Sequence, residues 1–325
     1  MYRVWDYVRQ NDEVGKLRIQ IAKLEARNQE LTERLEELRS NFEPLSMPWR
    51  ENGVFSQEVC FDKFKAKDQL LRNIRELVHP KHCKDINLLV IGKLGSGKSA
   101  LVNTLFTVLR NNGQLANLAP PSSPYKESKT PMLHEIVLQN IPGTKTLRVY
   151  DCRGIMPDKK QNAVFTEDLK KVIDGNVMKD YEFDETCEIQ ENDDFYRNNP
   201  TISDKMHCVL FVVRADDLDE QKDVAAICSM QMYLFRKNIP SRMILSHVDK
   251  LDMCVYGDLT KLFVSRHVQK KVELAKMIFS LQDIQVLPVA NYVKGTTQNI
   301  AQDILALQAI ENIMNETISY VGNRI

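Results

Sequence analysis

A glycine-rich loop is the clearest chemical feature of the sequence. Residues 92–99 read GKLGSGKS, of the form G-x-x-x-x-G-K-S, between the apolar run INLLVIG and an amphipathic segment. Glycines let such a loop turn tightly, and the backbone N–H groups at the start of a helix can surround a polyphosphate. We expect Lys98 to reach the β and γ phosphates and the Ser99 hydroxyl to bind Mg²⁺. A glycine-rich turn without a ligand is the alternative.

A second motif, D-x-x-G, follows at 151–154. Its carboxylate can hold Mg²⁺ through water, and its glycine N–H can meet a γ-phosphate. The residues predicted to bind phosphate come from both motifs and are Gly92, Gly95, Ser96, Gly97, Lys98, Ser99 and Gly154. The predicted metal ligands are Ser99, Asp151 and Thr130. Thr130 lies in the Pro/Ser-rich segment 113–131, which we expect to be a first switch, and Ser128 is the alternative hydroxyl there.

The fifth strand-like run ends in MILSHVDKLD and predicts how a base is chosen. GTPases have N/T-K-x-D in this place, and its Asp accepts the hydrogens on guanine N1 and N2, a donor pair that adenine lacks. Here Asp249 has that position and His247 replaces the lysine. We expect Ala290 and Asn291, at the end of LPVANY, to flank the base from the opposite side. The alternative is that Asp249 only caps the next turn.

The sequence carries few candidates for catalysis. Fast hydrolysis needs a group that orients water and a positive charge near the transition state. Ile155-Met156-Pro157 follows the D-x-x-G motif, so no Gln is present at the usual place. Arg153 and Thr130 are the candidates, and a surface or helix-capping position is the alternative for Arg153. We therefore expect slow hydrolysis, or none before dimerisation.

Alternating strand-like and helix-like segments must position these motifs. Near-continuous Val/Ile/Leu runs are typical of strands buried on both faces, as in a mostly parallel sheet with helices on either side. The short link IPGTK predicts that the second and third strands form an antiparallel hairpin. The predicted fold is therefore α/β, with a six-stranded sheet. Its strands are 86–92, 133–139, 146–151, 207–214, 241–247 and 284–290, and its helices lie near 98–111, 160–174, 219–237, 259–281 and 300–319.

A heptad pattern over residues 13–40 predicts a long N-terminal helix. Seven of the eight a and d positions are apolar, and a stripe this narrow suits a partner helix better than a globular core. Asn28, the polar seam residue, favours two strands in register, so we expect a parallel homodimer. A helix folded back on its own domain is the alternative. The seam positions are Val14, Leu17, Ile21, Leu24, Asn28, Leu31, Leu35 and Leu38.

We divide the chain into three parts. Residues 1–40 form the coiled coil, 41–85 a connector with a short amphipathic helix near 64–78, and 86–325 the phosphate-binding domain. The segment 182–194 contains seven carboxylates and no Lys or Arg. Such a composition predicts a solvated, mobile insertion without a ligand role.

Composition excludes several classes of protein. The 325 residues include 44 basic and 44 acidic side chains, and a net charge of zero argues against a dedicated nucleic-acid binder. No apolar run is long enough to span a bilayer, and the N-terminus lacks the apolar stretch of a secretory signal. The seven cysteines are scattered without a C-x-x-C pair, which predicts reduced thiols in a cytoplasmic protein.

The motifs resemble those of the interferon-induced protein 44 family of GTPase-like proteins. The resemblance rests on GKLGSGKS, YDCRGI, DKMHCVLFVV, SHVDK and LPVANY, with PWR at 48–50 and GNVMKDYEF at 175–183, and covers about residues 45–320. It implies a Ras-like P-loop G domain, GTP or GDP with Mg²⁺, a cytoplasmic location and a link to innate antiviral response. Two features depart from the family. The heptad segment stands where some members have a TLDc-type domain, and the usual T-K-x-D is S-H-V-D.

Three functions are compatible with these features. The first is a guanine-nucleotide-dependent switch or scaffold that is dimerised by its N-terminal heptads. The second is a P-loop enzyme that uses ATP. The third is a non-catalytic coiled-coil interaction scaffold.

Overall fold

The N-terminal helix and the body of the protein are seen in a computed structural model. It describes residues 20–34, 43–51, 55, 62–77, 79–118, 132–141, 145–155, 159–219, 224–293 and 297–323. Helix α1 covers residues 20–34, and its seam side chains Ile21, Leu24 and Leu31 are each more than half exposed. The predicted residues Thr130 and Ser128 and the heptad positions Val14, Leu17, Leu35 and Leu38 lie outside the described residues. The coiled coil therefore stays a prediction.

A six-stranded sheet forms the centre of the protein, in the order β2-β3-β1-β4-β5-β6. Strand β2 pairs antiparallel with β3, and every other pair is parallel. The predicted fold class, a Ras-like P-loop sheet with one antiparallel hairpin strand, is confirmed. The strands are β1 (Asp85–Gly92), β2 (His134–Ile141), β3 (Lys145–Asp151), β4 (Cys208–Arg214), β5 (Ser241–Ser246) and β6 (Val286–Pro288).

Helices cover both faces of the sheet. They are α2 (Lys63–Glu76), α3 (Lys98–Arg110), α4 (Lys159–Ile173), α5 (Val224–Arg236), α6 (Met253–Gly257), α7 (Arg266–Phe279) and α8 (Ile300–Gly322). One apolar cluster joins α4, α5 and α7 to the sheet, and a second joins α2, α3 and α8. Strands buried by both clusters must be apolar throughout, which explains the continuous Val/Ile/Leu runs of β1 and β4. None of the described helices is long and apolar enough to cross a bilayer.

The predicted helix 259–281 is divided in the structure. A 3₁₀ helix covers Leu259–Val264, and α7 begins after Ser265. The Ser265 hydroxyl donates to the buried Asp252 carboxylate at 2.7 Å and accepts from the Val268 N–H at 3.3 Å. Ser265 is the N-cap of α7, so a new helix begins here. The apolar periodicity of the sequence does not reveal this boundary.

The acidic segment 182–194 is not the fully solvated insertion that its charge predicts. Phe183 and Ile189 are buried, although most of its carboxylates face solvent. Asp168 of α4 holds the segment, because its carboxylate accepts hydrogen bonds from the Tyr181 hydroxyl at 3.0 Å and the Ile189 N–H at 2.9 Å. Two apolar anchors among seven acids were too few to reveal this attachment in the sequence.

Residues 49 and 50 of the connector contact the β6 edge of the sheet. The Trp49 N–H donates to the Phe263 carbonyl, and the Arg50 guanidinium donates to the carbonyls of Val286 and Asp283, both at 2.9 Å. The Arg50 guanidinium thus binds the outward-facing Val286 carbonyl of the edge strand β6, and Pro288 of the same strand lacks an N–H. Both features disfavour the pairing of a further strand with this edge. Helix α2 packs against α8. The three-part division of the chain stays a prediction.

An ion pair joins α2 to α8 within this packing. The Lys67 ammonium lies 2.7 Å from the Asp303 carboxylate, and the two side chains are 12% and 1% exposed. The Tyr292 hydroxyl also donates to Asp303, at 2.8 Å. Because Tyr292 directly follows Asn291, this buried cluster fixes the loop that carries two of the predicted base-binding residues.

We predict that Lys67→Ala lowers the free energy of unfolding by about 3–5 kcal/mol, because it leaves the Asp303 carboxylate buried without its cation. The matched control is Lys65→Ala in the same helix. Lys65 is 86% exposed and 3.7 Å from Asp62, so its loss should cost less than about 1 kcal/mol. Urea unfolding followed by circular dichroism measures both, and equal losses would contradict the importance of the buried pair.

Candidate functional site

The predicted phosphate-binding and base-binding segments meet in one pocket of about 100 Å³. The pocket lies at the carboxyl ends of β1, β5 and β6, where open α/β sheets bind ligands. Its lining side chains come from three separate motifs, GKLGSGKS, SHVDK and LPVANY. The lining residues are Gly95, Gly97, Lys98, Ser99, Ala100, His247, Asp249, Lys250, Asn291 and Val293.

The backbone of the phosphate loop requires its glycines. Gly95 and Gly97 have φ values of 79° and 97°, in the left-handed region that L side chains rarely adopt. Gly97 is also the N-cap of α3, and no side chain caps this helix. The first N–H groups of α3 therefore face the pocket without a capping oxygen, as an anion site at a helix N-terminus needs.

Lys98 is a buried cation with weak partners. Its ammonium donates to the carbonyls of Gly92 and Lys93 at 3.3 and 3.4 Å. Burial lowers the pKa of Lys98, and the nearby Asp151 carboxylate acts in the opposite direction. A phosphate would give this ammonium a stronger, charge-assisted partner than two distant carbonyls provide.

Ser99 and Asp151, the described residues among the predicted metal ligands, contact each other, although only Ser99 lines the pocket. The Ser99 hydroxyl donates to Oδ2 of Asp151 at 2.8 Å, while Oδ1 of Asp151 is buried without a hydrogen-bond partner. Burial raises the pKa of Asp151, and Lys98 and the Ser99 hydroxyl oppose that effect. A hydroxyl and a carboxylate with a free oxygen fit Mg²⁺, which commonly takes few protein ligands and completes its shell with water and phosphate. The described residues contain no group of three or more His, Cys, Asp or Glu side chains arranged for a metal.

The D-x-x-G loop lies directly on the phosphate loop. The Ile155 N–H donates to the Gly92 carbonyl at 2.9 Å, and the Leu94 N–H donates to the Ile155 carbonyl at 3.3 Å. A Cβ atom on Gly154 would lie 2.5 Å from the Leu94 nitrogen. The glycine of this motif is therefore required by the close approach of two backbones.

Ser246 links the base side of the pocket to the phosphate loop. Its hydroxyl donates to the Ser96 carbonyl at 2.7 Å and lies 2.9 Å from Nδ1 of His247. Because the hydroxyl hydrogen points to Ser96, the serine oxygen accepts from Nδ1–H of the imidazole. Burial and then the charges of Lys250 and Arg214 lower the pKa of His247 from 6.5, so the imidazole is neutral at pH 7.

Of the remaining predicted base-binding residues, Asp249 and Asn291 line the pocket and Ala290 does not. Asp249 is in the 3₁₀ turn Val248–Lys250 and lines the pocket, whereas the next helix, α6, is capped by Asp252. Ala290 is fully buried. The Asn291 amide donates to the Gly97 carbonyl at 3.3 Å, and its Oδ1 is buried without a partner. The orphaned oxygens of Asn291 and Asp151 mark where a polar ligand would complete the site.

Two positioning residues were not apparent from the sequence. The Thr104 hydroxyl of α3 accepts from the Tyr292 N–H at 2.9 Å, and Tyr292 in turn contacts Asp303. In the sequence, such a contact shows only as a polar residue at a helix position that is expected to be buried. This signal is ambiguous, because polar residues are also common on the exposed faces of helices.

Arg153 does not lie among the pocket residues. It is neither on the surface nor at a helix cap, the two alternatives that the sequence suggests, because it is 5% exposed. Its guanidinium carbon lies 4.8 Å from the centre of the Phe165 ring, and NH1 is 3.4 Å from the Glu185 carboxylate. The structure thus places this candidate catalytic residue against the acidic segment.

A larger cavity, of about 690 Å³, lies at the β6 edge of the sheet. It is lined by residues such as Arg50, Leu287, Gln308 and Asn312, and of the three motifs only LPVANY contributes to it, through Leu287 and Pro288 at its start. Its half-buried cation, Arg50, is already paired with Asp283 at 2.7 Å. The smaller pocket is therefore the better candidate for chemistry.

We predict that Gly154→Ala lowers the free energy of unfolding by about 1–3 kcal/mol, because the added methyl group meets the phosphate-loop backbone. Gly257→Ala is the control, since a Cβ at that position meets no atom within 4 Å. Thermal and urea unfolding of the two variants give the comparison. A neutral effect at position 154 would show that the two backbones are not held together in solution.

The sequence was compared with known proteins. No protein-family model matches it. It is 26% identical over 278 residues to interferon-induced protein 44 of Mus musculus, covering 82% of this chain and 65% of that protein. It is 24% identical over 235 residues to the Homo sapiens protein of the same name, covering 71% and 52%, and 21% identical to human interferon-induced protein 44-like, covering 76% and 55%. The chain thus spans about half to two-thirds of the length of these curated relatives.

Two solved structures illustrate the similarity in fold. Toc33 from Arabidopsis thaliana, in complex with Mg²⁺ and GMPPNP, is 14% identical, with a TM-score of 0.43 over 81% of this chain and 97% of that one. A probable GTP-binding protein, engB, is 12% identical, with a TM-score of 0.39 over 72% and 98%. The curated relatives confirm that the chain resembles the interferon-induced protein 44 and 44-like proteins over most of its length.

Proposed function

We propose that this protein binds GTP and GDP with Mg²⁺ and acts as a nucleotide-dependent switch or scaffold of the interferon-induced protein 44 type. One observation carries the proposal: the phosphate loop and the S-H-V-D segment, 150 residues apart in sequence, line the same pocket. A ligand that spans both must combine an anionic group with a base or a similar polar ring. A nucleotide has that composition.

On the phosphate side, separate residues bind the phosphate oxygens, the Mg²⁺ and the γ-phosphate. The N–H groups at the start of α3 and the Lys98 ammonium hold the phosphate oxygens. Ser99 and Asp151 hold the Mg²⁺, which neutralises phosphate charge when bound, and Thr130 is the proposed hydroxyl from the first switch. The Gly154 N–H, beside the phosphate loop, is the proposed partner of a γ-phosphate.

The base side favours guanine. In the proposed arrangement Asp249 accepts the N1 and N2 hydrogens of guanine, and adenine offers no such pair. The neutral His247 imidazole lies along the base in place of a lysine, and Ala290 and Asn291 close the opposite side. The link from Ser246 to Ser96 holds the base segment at a fixed distance from the phosphate loop.

Hydrolysis is proposed to be slow. The residue after the D-x-x-G motif is Ile155, which is buried and has no group to orient water. Arg153 faces Glu185 rather than the pocket. Single-turnover GTP hydrolysis by the purified protein tests this, and a rate like that of an activated GTPase would refute it.

Dimerisation is proposed through residues 13–40, with an antiviral role in the cytoplasm. The exposed stripe of Ile21, Leu24 and Leu31 supports a helix partner, because apolar side chains at this spacing otherwise stay in water. None of the six described cysteines forms a disulfide, in keeping with a reducing compartment. The antiviral role rests on the names of the relatives. Light scattering that finds a monomer of the full chain would contradict dimerisation.

We predict that Lys98→Met abolishes the thermal stabilisation by GDP and Mg²⁺, with affinity reduced at least about a hundredfold, because the charged partner of the phosphates is lost. Without nucleotide the variant should be as stable as the parent, since it removes a poorly paired buried charge. Lys93→Met, in the same loop but outside the pocket lining, is the control and should keep affinity within about threefold. Retained GDP affinity in Lys98→Met would refute the phosphate-loop assignment.

We predict that Asp249→Asn weakens guanine-nucleotide binding about 10–100-fold and gains xanthine-nucleotide binding, because an amide can donate to the xanthine 2-oxo group. Competition against a fluorescent nucleotide by GDP, XDP and ADP measures the change. If the variant keeps the parent's order of preference, Asp249 does not contact the base.

A further inference from the structure

Residues 180–189, which we call the bridging segment, contact the D-x-x-G motif on one side and Leu133 on the other. On one side, the Leu133 N–H donates to the Tyr181 carbonyl and the Asp180 N–H donates to the Leu133 carbonyl, both at 2.8 Å. Leu133 is the second residue after the predicted first switch. On the other side, Glu185 pairs with Arg153 of the D-x-x-G motif at 3.4 Å.

Among the described residues, Arg153 has few partners. Its side chain is 6% exposed, no described group accepts a hydrogen bond from its Nε, and its ion pair with Glu185 is long. A guanidinium has five N–H donors, and buried charges are normally paired and fully hydrogen-bonded. The Phe165 ring, 4.8 Å below, supplies only part of this compensation. A new negative charge nearby would therefore compete effectively with Glu185.

The backbone next to Arg153 is tied to the phosphate loop. Ile155 exchanges hydrogen bonds with the loop at Gly92 and Leu94, and Gly154 has no room for a side chain against Leu94. A γ-phosphate that engages the Gly154 N–H would place its charge within one residue of the Arg153 backbone. The same event would shift the hydrogen bonds that join Ile155 to Gly92 and to Leu94.

The bridging segment is fixed to the domain on its inner side. The Phe183 ring packs edge-on against Phe165 at 5.0 Å and against Tyr181 at 5.2 Å. Asp168 accepts hydrogen bonds from Tyr181 and Ile189. In the outer turn the Asp184 carboxylate accepts from the N–H groups of Thr186 and Cys187, and the Glu185 carboxylate pairs with Arg153.

We propose that Arg153 is a positioning residue that transmits the nucleotide state to the bridging segment. With diphosphate, Arg153 stays paired with Glu185 and the outer turn is held. With triphosphate, the guanidinium turns toward the new charge and the outer turn loosens, so the exposed carboxylates of this segment form the surface that differs between the two states. This inference rests on the proposed function.

Hydrogen–deuterium exchange of the full-length protein tests the proposal. The protein is saturated with GDP or GMPPNP and Mg²⁺, with binding verified by displacement of a fluorescent nucleotide. We expect peptides covering 183–188 to exchange about two- to fivefold faster with GMPPNP, the range of a half-exposed ion pair. In Glu185→Gln this ratio should fall to about one, because the GDP state is already released.

Two further variants separate this role from simple packing. Glu185→Asp keeps the charge and should retain a ratio above one. Glu191→Gln removes an exposed carboxylate of the same acidic segment and should leave the parent's ratio unchanged. Equal exchange with both nucleotides in the parent protein, or an unchanged ratio in Glu185→Gln, would overturn the proposal while the proposed function stands. Failure of either nucleotide to bind would overturn both.

Discussion

The buried ammonium of Lys98 is the constraint on which the pocket depends. A charge taken out of water needs close partners, and within the described part of the chain Lys98 has two distant carbonyls and the field of Asp151. Around it lie other polar atoms without partners, Oδ1 of Asp151, Oγ of Ser96 and Oδ1 of Asn291. Buried polar atoms in folded proteins are almost always satisfied, so such a concentration at one place indicates a site built for a polar ligand. A nucleotide with Mg²⁺ would satisfy these atoms together.

The fold brings these groups together by topology rather than by sequence proximity. Parallel strands place the carboxyl ends of β1, β3, β5 and β6 at one edge, so each motif needs only to follow its own strand. The finer positions come from polar contacts between the loops, such as Ser246 to Ser96 and Asn291 to Gly97. Contacts of this kind hold the base side and the phosphate side in a fixed relation before any ligand arrives, which reduces the ordering cost of binding.

Much of the fold could be predicted from the sequence, because buried parallel strands are continuous apolar runs and glycines at fixed spacing require a particular loop. The six strands and the hairpin followed from those patterns. Three features did not. The break before α7 depends on Ser265 meeting a distant aspartate, the burial of Phe183 and Ile189 depends on Asp168, and the direction of Arg153 depends on Phe165 and Glu185. Each is a contact between residues far apart in sequence, and neither local propensity nor charge composition encodes such a contact. The sequence also leaves the role of Asp249 open, since an aspartate that follows a strand can cap the next turn instead of contacting a base.

Titration of the nucleotide-free protein with mant-GDP and with mant-ADP, in the presence of Mg²⁺, tests the central claim most directly. The account predicts saturable binding of mant-GDP, at least about tenfold tighter than that of mant-ADP, because Asp249 is paired only by guanine. Equal or tighter binding of mant-ADP, or no binding of either nucleotide, would contradict it.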